Sequence, residues 1–141
     1  MKLSKIYNKD DRLLRGCGWT SNSYWMIKSE LEPKNLQKKE TTAELTENLI
    51  DVSLDRFGAR DVDALVSCTM SAPSYQDGLY LISVKSQFEG KDTVYKFNAD
   101  YIDFMREVGA DSFKIIAKYQ NTPIVAIKEN EAIGFVMGID L

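Results

Sequence analysis

Residues 94–141 read VYKFNADYIDFMREVGADSFKIIAKYQNTPIVAIKENEAIGFVMGIDL, and this stretch decides the fold. Val94-Tyr95-Lys96-Phe97 is β-prone, and Asn98 follows as a residue whose side chain caps helices. Tyr101, Ile102, Met105 and Val108 recur at helical spacing, so a helix over Ala99–Val108 is predicted, closed by Gly109. Three strands are predicted after it, at Phe113–Lys118, Pro123–Lys128 and Ile133–Ile139. The connections Gln120-Asn121-Thr122 and Glu129-Asn130-Glu131 are hairpin-sized, which makes these strands antiparallel.

Upstream residues supply material to complete that sheet. Met1–Arg15 mixes charges with Leu3, Ile6, Tyr7, Leu13 and Leu14, without a periodicity that selects an element. Tyr24-Trp25-Met26-Ile27 is a predicted strand after the turn Trp19–Ser23. Thr41-Thr42-Ala43-Glu44 has capping-box spacing, with threonine followed three residues later by glutamate. It predicts a helix in which Leu45, Leu49 and Val52, widened by Ile50, Leu54 and Phe57, face a sheet, with Gly58 as its stop. Ala64–Met70 is a short β-prone run, Asp77-Gly78 a turn, and Leu79–Phe88 a long strand returning through Glu89-Gly90-Lys91. The element order is α+β, with an antiparallel sheet and two helices packed on one face. No linker or low-complexity segment interrupts it, so residues 1–141 are expected to form one domain.

Composition narrows the chemistry. A 44% hydrophobic and 28% charged chain of 141 residues buries a core without staples. The net charge of −3 argues against a nonspecific nucleic-acid coat. Histidine is absent, which removes the commonest general base and metal ligand and any triad built on it. Cys17 and Cys68 form no Cys-x-x-Cys pair, so neither a disulfide framework nor a zinc site is expected. With no signal peptide and no membrane-length apolar run, a reducing cytoplasm is the expected location. No glycine-rich phosphate loop occurs, and no cofactor is expected.

Three residue groups invite a closer look. Gly16-Cys17-Gly18 frames a thiol beside Arg15, which reads either as a reactive cysteine or as a turn. Lys34, Lys38 and Lys39 cluster after Pro33, with Arg12 and Arg15 not far off. They form either a phosphate-touching nucleic-acid surface or a solvated loop. Asp77 and Lys85 on one strand, with Glu44 and Glu47 upstream, echo the metal site of restriction-type nucleases. Ser83, however, stands where the second acid belongs. No catalytic residue is assigned.

Phe97-Asn98-Ala99-Asp100-Tyr101-Ile102, the alternating Phe113-Lys114-Ile115-Ile116, the Pro123-Ile124-Val125 strand and the tail Gly134–Leu141 resemble the end of the bacterial replicative sliding clamp, the β subunit of DNA polymerase III. The resemblance implies a DNA-clamp-like domain whose helices line a channel and whose tail borders a pocket for short peptides of polymerases and repair factors. By match to that tail, Met137, Ile139 and Leu141 are the implied peptide contacts, the other reading being an apolar terminal strand in the core. The length holds one such domain, whereas a bacterial clamp chain has three. Asp140 stands where the family carries a basic residue, and Asp100, Asp103 and Glu107 outnumber Arg106 on the would-be channel helix. DNA contact is therefore left open. The expectation is a non-enzymatic, clamp-like binding protein of a phage or other mobile element. It would act in DNA replication through a protein or peptide partner, as a possible homo-oligomer and away from membranes. A small interaction protein of unrelated α+β fold and a metal-dependent nuclease are the alternatives.

Overall fold

The computed structural model describes residues 12–88, 90–116 and 122–139. In chain order the strands are β1 (Leu14–Gly16), β2 (Trp19–Ser21), β3 (Trp25–Lys28), β4 (Ala43–Glu44), β5 (Val66–Ser67), β6 (Thr69–Met70), β7 (Ser74–Gln76), β8 (Leu79–Phe88), β9 (Lys91–Asn98), β10 (Ser112–Ile115), β11 (Ile124–Lys128) and β12 (Glu131–Val136). Helix α1 (Glu47–Arg56) follows β4 and helix α2 (Ala99–Glu107) follows β9. The chain is α+β, as the element order predicts.

Eight strands form one sheet in the order β4-β1-β2-β3-β12-β11-β10-β5, and β6, β7, β8 and β9 form a second. Among the described residues all pairings are antiparallel except β1 with β4, which run parallel through Leu14↔Ala43 and Arg15↔Glu44. The predicted strand Ala64–Met70 is divided between the sheets. Leu65 follows a short helical turn, β5 joins the large sheet and β6 the small one. Among the described residues three hairpins turn on two residues with positive φ: Cys17-Gly18, Asp77-Gly78 and Glu129-Asn130. That geometry matches the twist of the flanking strands, and asparagine, aspartate and glycine accept it most easily.

The two helices do not share a face, which corrects the predicted packing. Strand residues alternate between faces. Trp25 and Ile27 of β3 join Ile102, Phe104 and Met105 of α2 in one core, together with Ile82, Val84, Tyr95 and Phe97 of the small sheet. Met26, between them, joins Ile50 of α1, Val125 and Phe135 in a second core on the opposite face. Helix α2 is therefore held between the sheets, and α1 covers the outer face of the large one. The physical reason lies in β3, β11 and β12, which are apolar on both faces and so need cover on each side.

A bulge keeps both faces of β12 apolar. Ala126 pairs with Gly134 and Ile127 with Ala132, leaving Ile133 as the extra residue. Gly134 then sits beneath α2. A Cβ there would lie 2.7 Å from the Met26 carbonyl oxygen and 2.8 Å from Met105 Sδ. Trp25 packs edge-on against Phe104 with ring centroids 4.8 Å apart, which fixes the helix on the sheet.

Helix α2 begins at Ala99 as predicted, with the Asn98 side chain accepting a bond from Asp100 N at 2.9 Å, and ends at Glu107, one residue before the predicted end, with Val108 as its cap. Helix α1 starts later than the Thr41 pattern indicates. Thr46 is its cap, accepting from Leu49 N at 3.2 Å. Residues 42–45 are instead held extended against β1, where Thr42 N donates to Leu13 O and Leu45 N to Arg15 O. Only glycine permits this approach at position 16, because a Cβ there would meet Leu45 O at 2.0 Å. The shift also corrects the predicted buried stripe. Ile50 is buried, whereas Leu49 and Val52 are more than half exposed.

Candidate functional site

Strand β12 ends at Val136, which is fully buried opposite Trp25. The next residue turns outward: Met137 is 40% exposed. Its backbone N donates to Tyr24 O at 2.8 Å, and two residues on Ile139 N donates to Lys96 O at 2.8 Å. The tail thus steps from the end of the large sheet to β9 of the small one, and Ile139 is bridged to Lys96.

Met137 belongs to two clefts. The first, about 200 Å³, runs between α1 and the large sheet; Leu14, Met26, Leu45, Leu49, Ile50, Phe57 and Phe135 line it, with Ser21, Ser23 and Ser53 as its hydroxyl groups. The second, about 310 Å³, is walled by Tyr24, Asn98, Tyr101, Gly138 and Ile139. Sequence reading placed Met137 and Ile139 together, and the fold brings both to the second cleft. Leu141 and Asp140 lie outside the described residues. The sequence pattern makes Tyr24 a strand residue, Leu49 a buried helix residue and Tyr101 part of the apolar side of α2. Their role as cleft walls carries no sequence signal, because it depends on which sheet end each one reaches.

The first cleft exists because α1 is only partly seated. Ile50 and Phe57 point into the second core, where Phe57 lies 5.3 Å from Phe135 and Trp19 lies 5.8 Å from that same ring. Leu49 stands beside them and remains 51% exposed. The other side of α1 is polar, with Arg60 bonded to both Asp51 and Asp55. Those two carboxylates raise the guanidinium pKa further.

The lysine group is arranged differently from the predicted loop. Lys34 opens a single helical turn, Lys34–Gln37, and Lys34 and Lys38 are exposed while Lys39 is half-buried. Arg15 does not join them at the surface. Its Nη2 donates to Glu32 Oε1 at 2.8 Å and to Leu36 O at 2.8 Å, and its Nε donates to Glu32 Oε1 at 3.1 Å. Its Nη1 reaches Lys39 O at 2.7 Å and Thr41 Oγ1 at 2.9 Å. A guanidinium fork with five donors suits such a knot, which ties β1 to residues 32–41.

Cys17 sits exposed in the left-handed region at φ 53°, its Sγ 4.0 Å from Leu45 O, while the neighbouring Arg15 side chain is directed to Glu32. Cys68 lies between β5 and β6 with Sγ 3.7 Å from Phe113 O, and burial pushes its thiol up to about 11. A desolvated thiol of that kind is a weak nucleophile at neutral pH. The nuclease-like acids are not gathered. Glu44 lies on β4 at one edge of the large sheet, Glu47 at the start of α1, and Asp77 in a hairpin of the small sheet. Among the described residues no three acidic or cysteine side chains converge on a point that would hold a metal. Among them, too, no helix is long and apolar enough to cross a membrane. No protein-family model, curated protein or solved structure matches this chain.

Proposed function

We propose that this is a non-enzymatic binding protein that receives a short linear peptide of a protein partner across Met137. The observation that carries the reading is the sharing of one exposed methionine by two adjoining clefts, one walled by Leu45, Leu49 and Phe57, the other by Tyr24, Tyr101 and Ile139. A flexible, polarizable thioether adapts to varied apolar side chains, and aromatic walls give a bound chain area at low entropic cost. The tail's resemblance to the sliding clamp supports a peptide as the occupant. It also extends the proposal to DNA replication, in a phage or other mobile element and in the cytoplasm. The proposal does not rest on a helix-lined DNA channel, since α1 and α2 lie on opposite faces of the large sheet. Assembly into a homo-oligomer belongs to the same reading, and light scattering tests it.

The deciding experiment titrates fluorescein-labelled short peptides rich in Leu, Phe and Met into the protein and follows polarisation. Met137→Asp and Leu49→Asp place a charge in the clefts at exposed positions. Each is expected to weaken binding by at least about tenfold, or about 1.4 kcal/mol, without lowering the unfolding midpoint. Lys34→Ala and Lys38→Ala should leave affinity unchanged. Wild-type protein that binds no peptide of the panel, or variants that bind as tightly as wild type, would overturn the proposal.

A further inference from the structure

We draw no further inference here: the strongest candidate, the outer edge of β9, which carries the exposed Val94 and among the described residues meets only Ile139 through one backbone bond, is an unpartnered sheet edge, and nothing in the structure shows what covers it.

Discussion

Replacing Arg15 with alanine should destabilise the protein more than replacing its partner Glu32. The Glu32 side chain is 6% exposed and that of Arg15 21%, so the carboxylate is the deeper end of the pair. Arg15→Ala leaves a buried carboxylate without its cation and removes the bonds that Arg15 donates to Lys39 O and to Leu36 O, the latter keeping its bond from Lys39 N. Breaking a buried pair from one side costs about 3–5 kcal/mol, because the remaining charge stays desolvated. Glu32→Ala leaves a guanidinium that still bonds Leu36 O, Lys39 O and Thr41 Oγ1 and retains some contact with water. Its cost should be smaller, about 2 kcal/mol, nearer that of losing charged hydrogen bonds. Arg15→Lys keeps the charge but loses the fork, and belongs between them. Urea unfolding followed by the emission of the buried Trp19 and Trp25 reads these differences directly. At an m-value of about 2 kcal/mol/M, Arg15→Ala should lower the midpoint by about 2 M and Glu32→Ala by about 1 M. The double variant should cost less than the sum, since the two side chains act as one unit. Equal losses, a larger loss for Glu32→Ala, or losses under about 0.5 kcal/mol for both would refute the reasoning.

Four further outcomes follow from the same geometry. Thr46→Ala should cost about 1 kcal/mol as a lost helix cap, whereas Thr41→Ala removes a single bond from Arg15 and should cost less; chemical denaturation of both variants ranks them. Gly134→Ala should cost about 1–3 kcal/mol because the added methyl meets a strand carbonyl that cannot yield, and a melt within experimental error of wild type would contradict that packing. Cys17 should react with iodoacetamide in the native protein at pH 8 while Cys68 stays unmodified until unfolding, as mass spectrometry of the digested protein reports. Because the folded Cys68 thiol titrates near 11 and an unfolded one near 9.0, the unfolded chain loses its proton first; this contribution to stability is intact below about pH 9 and is lost as pH rises through about 11, so Cys68→Ser should flatten the alkaline limb of a stability-versus-pH curve.

The legible parts of this fold are those whose causes lie within a few residues. Asn98 caps the helix that follows it, and Gly109 closes it, because both effects involve only the adjacent backbone. Strand β8 spans Leu79–Phe88 as read, bounded by the Asp77-Gly78 turn. The start of α1 departs from its local signal because a distant strand overrides it. Thr41 with Glu44 has the spacing of a helix start, but β1, some thirty residues upstream, holds residues 42–45 extended, and the helix begins only after Thr46. The buried stripe moved with that start, and Leu49, read as core, became a wall of an open cleft. Of the tail, the apolar pattern through Met137 suits a buried strand and an exposed rim equally well.

The α+β class, the antiparallel hairpins and the position of α2 were determined by the sequence by itself, through hydrophobic periodicity, capping residues and turn residues that act over one or two turns of chain. Tertiary structure alone decided that α1 and α2 take opposite faces, because Trp25, Met26 and Ile27 are all apolar and only the arrival of particular partners distinguishes one face of β3 from the other. It also decided that Arg15 closes on Glu32 rather than joining the lysines, since a long cation goes to whichever carboxylate and carbonyls the fold brings within reach. Above all it decided where burial stops along β12. Val136 lies under α2 and Met137 beyond it, and that step depends on where the neighbouring elements end in space rather than on the hydrophobicity of either residue.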